Sequence, residues 1–134
     1  MPPKQLTFVD ASVLINAIVG KDAARKMRAL SVLADPDREF VATEFLKLEV
    51  LPVPTKYERK KELAFYEKYF KGVVTWIDPS SFLQPAFDLA CEHGLGAIDA
   101  LHIAAAVKVD AEFISAEKPT KPIYSAYTNA SSIY

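Results

Sequence analysis

Four acids of this chain stand where sequence patterns ordinarily exclude charge. Asp10 ends the run "LTFVD" and is followed at once by the apolar "ASVLINAIVG"; Glu49 lies between Leu48 and Val50 in "LKLEVLP"; Asp99 opens "DALHIAAA"; Glu117 follows "EFISA". Singly, each has an ordinary reading. An acid after a strand can form a turn or cap a helix, and an acid in a first helical turn is favoured by the helix macrodipole. That second reading suffices for Glu44, which follows Thr43. Glu44 and Glu49 are five residues apart, roughly 140° around a helix, so they cannot both face one site. It is the recurrence of the pattern that points to chemistry. Carboxylates gathered from several elements repel one another unless a cation lies among them, and Mg²⁺ or Mn²⁺, with their preference for oxygen ligands, suit that set. Such an ion orients a water, lowers its pKa and offsets the charge that builds on a phosphodiester in the transition state. Zinc suits it less, because the chain has one cysteine, Cys91, and only His93 and His102. Cys91 reads as a small core residue, and His102, three residues after Asp99, reads first as a packed or capped core histidine, with a ligand or proton-transfer role as the lesser alternative.

The elements that must position these acids follow from periodicity and punctuation. "LTFVD" predicts a short buried strand with Asp10 at its carboxyl end, and "ASVLINAIVG" a helix closed by Gly20. "KDAARKMRALSVLADPDR" places Ala24, Met27, Leu30 and Leu33 at helical spacing and stops at Asp35-Pro36. "EFVAT" reads as a second strand, with Thr43 an N-cap for "EFLKLEVL", which Pro52 and Pro54 end. "KYERKKELAFYEKYFKG" reads as one long amphipathic helix with Leu63, Tyr66 and Phe70 on its apolar face. "VVTWID" is a third strand, "PSSFLQPAFDLACEHG" a helix and "AIDALHIAAAVKVD" an Ala-rich helix. In the last of these, Ala97, Ala100 and Ala104 allow close approach to a sheet. "EFISA" gives a fourth strand and "PIYSAY" a fifth. Strands alternating with helices imply an α/β fold whose parallel sheet is covered on both faces. In such sheets ligands bind beyond the carboxyl ends of the strands, which is where Asp10 and Glu117 fall.

Composition bounds the rest. The chain has 134 residues, 51% hydrophobic and 25% charged, which suits one domain over 1–134 with a single core and no need of disulfides. A formal net charge of −1 gives no global attraction to phosphate, so nucleic-acid binding would rest on local basic clusters and on metal. A lone cysteine suits a reducing cytosol, and no run reaches the roughly 18 apolar residues of a membrane span; the expectation is a soluble, cytoplasmic protein. Lys56, Arg59, Lys60 and Lys61 form a basic cluster at the start of the long helix, with Tyr57 and Tyr66 near it for base stacking. Glu58, Glu62 and Glu67 interleave there at ion-pairing distance, so a solvated helix face is the simpler reading.

In their order along most of the chain, "TFVDASVLINA", "LKLEVL", "GAIDALHIAAA" and "EFISAEK" resemble the acidic motifs of the PIN-domain nucleases. Many small single-domain members of that family are the ribonuclease toxins of bacterial and archaeal toxin–antitoxin pairs. The resemblance implies a three-layer α/β/α fold around a central parallel sheet of four to five strands. It also implies an acidic pocket for one or two Mg²⁺ or Mn²⁺ ions, metal-dependent RNA cleavage, an antitoxin partner and a homodimer. By motif position Asp10, Glu49, Asp99 and Glu117 are the implied catalytic metal ligands. Ser12 matches the hydroxyl two residues after the first acid, where it can hydrogen-bond a ligand carboxylate or metal-bound water; Ser115 is the hydroxyl of the fourth motif and is taken as a further cofactor contact. That motif departs from the family pattern of Thr-x-Asp: here it is Ser115-Ala116-Glu117, which puts a second metal in question. A catalytically degenerate module that binds RNA or a protein without cutting is therefore the alternative. Haloacid-dehalogenase-like phosphatases and receiver domains fit poorly, since the former need an acid where Ser12 stands and the latter an acidic pair where Val9 stands.

Overall fold

The computed structural model describes residues 3–134. Five strands form one all-parallel sheet in the order β3-β2-β1-β4-β5: β1 Gln5–Val9, β2 Arg38–Ala42, β3 Thr75–Trp76, β4 Glu112–Ser115 and β5 Ala130–Ser132. Eight helices connect them: α1 Ala11–Val19, α2 Ala23–Leu33, α3 Glu44–Val50, α4 Pro52–Lys56, α5 Lys60–Lys71, α6 Leu83–His93, α7 Ala97–Lys108 and α8 Ile123–Ala126. The chain begins at the centre of the sheet, builds outward through β2 and β3, then crosses back to add β4 on the other side of β1. The direction of winding thus reverses between β1 and β4, and in open parallel sheets that reversal opens a crevice at the carboxyl ends of the two strands.

Period-2 alternation sorts the strands' side chains between two layers. Phe8 pairs in register with Val41 and Phe113 and faces the layer of α6, α7 and α8, where Phe82, Ala86, Ile103 and Ile123 are buried. Val9 pairs with Ile114 and faces α1, α2, α3 and α5 through Val13, Leu14, Leu46, Tyr66 and Phe70. Thr7, Phe8 and Val9 are each 0% exposed, as a parallel strand covered on both sides must be. Burying Phe8 alone contributes on the order of 3 kcal/mol. Ala100, Ala104, Ala105 and Ala106 let α7 approach β1 and β4 closely, whereas Ala97 lies at the exposed start of that helix.

Several local expectations yield to tertiary context. Pro52 opens α4 instead of merely ending α3, since its fixed φ and missing N–H suit a first helical turn. Helix α5 starts at Lys60, not Lys56, because Glu58 takes a φ of 52° and breaks the chain direction. In α2 the buried residues are Ala29 and Val32, one position off the expected stripe, and Met27 is 63% exposed. The segment "PIYSAY" is not a strand: Pro122 sits in the right-handed helical region and leads into α8, and the fifth strand falls instead on Ala130–Ser132. Cys91 is exposed, since the stripe of α6 that packs on the core is Ala86, Leu89 and Ala90. Thr43 occupies the N-cap position of α3 but its Oγ1 makes no cap bond; it is buried without a hydrogen-bond partner among the described residues. No helix among those residues is long and apolar enough to cross a membrane.

Two glycines act for different reasons. Gly94 ends α6 at φ 67°, the left-handed cap that a Cβ penalises. Gly20 follows α1 with φ −62°, which any residue can adopt, yet a Cβ there would collide with the Asn16 carbonyl oxygen. Gly94→Ala should therefore lower unfolding free energy by about 1–2 kcal/mol. Gly20→Ala should cost more, because backbone must move. Urea denaturation of the two variants checks this order; equal losses would contradict the steric account.

Candidate functional site

Asp10 holds the N-cap position of α1 in extended conformation (φ −68°, ψ 156°), but its carboxylate caps nothing. Its backbone N–H donates to Ile114 O at 2.9 Å, extending the β1–β4 ladder by one residue and placing the side chain in the crevice. There Oδ2 accepts from Ser12 Oγ at 3.0 Å and from Ser115 Oγ at 2.9 Å. Each hydroxyl in turn accepts a backbone N–H of the segment after β4: Ala116 N–H reaches Ser12 Oγ at 2.9 Å and Glu117 N–H reaches Ser115 Oγ at 3.0 Å. With both hydroxyl protons committed to Asp10, the 3.3 Å approach of the two serine oxygens is a lone-pair contact. The two serines thus tie the β1–α1 corner to the β4 loop and set the Asp10 rotamer.

Glu49 enters from α3, the helix that follows β2. Its side chain is 28% exposed and meets His102 Nε2, which also lies 3.9 Å from Asp10 Oδ1. One donor atom each from Asp10, Glu49 and His102 fall within 4.8 Å of one another. Asp10 is 6% exposed and His102 0%. The His102 ring packs against Phe8 with centroids 5.1 Å apart. The ring is the packed core side chain expected from the sequence, and one of its nitrogens also turns into the acidic crevice. The signal for the second feature is Asp99 three residues earlier, which puts this part of α7 beside the acids.

Asp99 and Glu117 border this group without joining its tight set. Burial, and next the charge of Asp10, hold the Asp99 carboxyl above its usual range; His102 opposes this, while Glu117 and Glu49 add to it. The four carboxylates therefore share one field. The Glu117 side chain is exposed, but its backbone is pinned: besides the N–H bond to Ser115, its carbonyl accepts from Tyr124 Oη at 2.7 Å and Ser132 Oγ at 2.5 Å. The remaining sequence candidates lie apart. Tyr66 is 1% exposed in the core and cannot stack on a base. Arg59, Lys60 and Lys61 line a hollow with Ile18, Val19 and Glu62 at the end of α1. None of the cluster's cations forms an ion pair among the described residues, contrary to the expected pairing with Glu58, Glu62 and Glu67. Tyr57, 60% exposed, carries Lys56 Nζ and Arg59 Cζ over its ring at 5.3 and 5.6 Å.

Comparison with known proteins agrees with this architecture. No curated protein matches the chain by sequence. Among solved structures, a toxin–antitoxin complex from Klebsiella pneumoniae contains a chain with a TM-score of 0.71 at 17% identity, covering 96% of this chain and 98% of that one. A chain of VapBC2 from Rickettsia felis, bound to a DNA fragment from the promoter, gives 0.68 at 11% identity with the same coverage of 96% and 98%. FitAcB from Neisseria gonorrhoeae gives 0.59 at 14%, covering 90% and 92%. At these identities the likeness is one of fold. The sequence profile of the PIN domain matches residues 7–119, a span that runs from β1 through Glu117, and this chain belongs to the PIN-domain family.

Proposed function

We propose that this protein is a metal-dependent endoribonuclease that hydrolyses RNA phosphodiester bonds, acting in the cytoplasm as the toxin of a toxin–antitoxin pair. The observation that carries the reading is the meeting of the Asp10 and Glu49 carboxylates with His102 Nε2 within 4.8 Å, at the carboxyl edge of the sheet. At that separation two unit charges repel by about 3.5 kcal/mol for an effective dielectric constant of about 20. A hydroxyl donated to a carboxylate returns about 1.5–3 kcal/mol. Ser12 and Ser115 together thus offset one or two such repulsions, not the field of four carboxylates; a divalent cation fits the donor set. Asp10 and Glu49 would hold it, with Asp99 and Glu117 completing the oxygen ligands. When bound, the ion supplies a water of lowered pKa and offsets charge developing on the phosphodiester. Ser12 and Ser115 keep Asp10 oriented, and the burial of Asp10 and His102 keeps bulk water from screening the site.

The toxin–antitoxin assignment is supported by the structural neighbours, which come from complexes of that kind. An antitoxin and a second copy of the chain are the proposed partners. Leu48 and Val53 on α3 and α4, and Met27 on α2, are exposed apolar side chains open to such contacts. The reading of a non-cleaving module retains one observation in its favour, the exposed Glu117 side chain outside the tight group.

Three outcomes follow. In the metal-free protein the raised Asp99 carboxyl means that the folded state binds more protons than the unfolded one just above pH 3.8. Stability contributed by this group is then present below that value, falls as pH rises through the raised pKa and stays lost above it. Without metal, Asp99→Asn should melt at or above wild type at pH 7, with the gain vanishing towards pH 3; a lower Tm at neutral pH would contradict it. Asp10→Asn should reduce Mg²⁺- or Mn²⁺-dependent RNA cleavage to the metal-free background while Tm holds or rises, because the amide oxygen still accepts from Ser12 and Ser115 while the charge is gone. Unchanged cleavage would remove Asp10 from the reaction, and absence of cleavage by the wild type at saturating Mg²⁺ or Mn²⁺ would favour the non-cleaving module. Sedimentation at micromolar concentration should show a dimer, built mainly from residues 21–34 and 56–71, and only monomer would remove that part of the proposal.

A further inference from the structure

We propose that His102 is a positioning residue for Glu49: its Nε2–H donates to the Glu49 carboxylate and holds it beside Asp10. The proposal rests on the reading of the crevice as a divalent-cation site and goes further by giving the buried imidazole beside the acids a role. Packing does not account for His102. It is 0% exposed, packed against Phe8, and its Nδ1 is buried with no hydrogen-bond partner among the described residues. An apolar side chain would fill the same volume without stranding a polar atom. The partnerless Nδ1 also fixes the tautomer. A proton there would be a buried donor with no acceptor, and a bare Nε2 would set its lone pair against a carboxylate; a proton on Nε2 avoids both. A nitrogen that donates its proton has no lone pair to give a metal, so His102 acts on a ligand and is not one itself.

Glu49 is the acid that needs such help. Asp10 has two hydroxyl donors on one oxygen. The Glu49 side chain is longer, partly exposed and has no hydrogen-bond partner among the described residues other than His102. Fixing a glutamate rotamer costs side-chain entropy, and His102 supplies the one contact among the described residues that opposes it. Asp10 Oδ1, at 3.9 Å, is beyond hydrogen-bond reach of Nε2, so the donor is directed at Glu49 alone.

Two amide variants separate this role from packing. His102→Gln places its amide nitrogen near the position of Nε2 and can still donate to Glu49; His102→Asn is too short to reach. Mn²⁺ affinity measured by calorimetry on the folded proteins, with circular dichroism as the fold check, should fall by about 10–100-fold in His102→Asn and stay within a few-fold of wild type in His102→Gln. On a Glu49→Gln background, adding His102→Asn should change Mn²⁺ affinity no further. Equal affinity in wild type and His102→Asn, or equal loss in both amides, would overturn the proposal, as would a further loss on the Glu49→Gln background, which would mark His102 as a direct ligand. Wild-type protein that binds no Mn²⁺ would remove the cation-site reading and this proposal with it, an outcome distinct from a wild type that binds and variants that bind alike.

Discussion

Repulsion among carboxylates that the chain's own topology brings together is the constraint on which the rest of the structure turns. Asp10 ends the central strand and Glu117 follows its neighbour across the reversal of winding, so both acids lie at the crevice. Glu49 reaches it from the last turn of α3 and Asp99 from the first turn of α7, helices that pack on opposite faces of the sheet. The sheet cannot relax this crowding, because Phe8 and Val9, the residues just before Asp10, are locked between those layers at 0% exposure. A fold that buries its central strand on both faces thereby fixes the position of the acid at its end.

Against that crowding the protein sets local devices that keep the site assembled. Ser12 and Ser115 each donate to Asp10 and accept a backbone N–H from the β4 loop, so the same two hydroxyls orient the acid and close the crevice's wall. His102 contacts Glu49 from below, braced by Phe8. Tyr124 and Ser132 hold the Glu117 backbone while its carboxylate stays exposed, so the fourth acid has a fixed origin and a free end. Its additional methylene, relative to the aspartate of the family pattern, acts on that free end. The remaining imbalance of charge calls for a cation, and the Asp99 carboxyl, raised first by burial and next by the charge of Asp10, lies in the same field.

What the sequence made legible follows the same division. Strand β1, helix α1 and helix α7 were readable because each has a strong period and clear punctuation, and the fold class followed from their alternation with β2 and β4. Asp10 and Glu49 stood out as charges inside apolar runs, and they meet in the crevice. What was hidden depended on contacts between distant segments. The buried stripe of α2 was misread because Ala29 packs where Met27 had the greater hydrophobicity. The fifth strand was misplaced because "PIYSAY" has strand-like composition while Pro122 favours a helical turn and Ala130–Ser132 find β4 as partner. The core position of His102 is legible, but its contact with Glu49 is not, because that partner lies 53 residues away on another helix, which no local pattern records.

A divalent cation shared by Asp10 and Glu49 at the carboxyl edge of the sheet would answer the crowding of charge in the crevice. Crystals grown with Mn²⁺ and measured at a wavelength where manganese scatters anomalously test it most directly. The account predicts an anomalous peak within coordination distance of carboxylate oxygens from both residues, with Ser12 and Ser115 still donating to Asp10. A peak elsewhere on the protein, or none in crystals saturated with Mn²⁺, would contradict it.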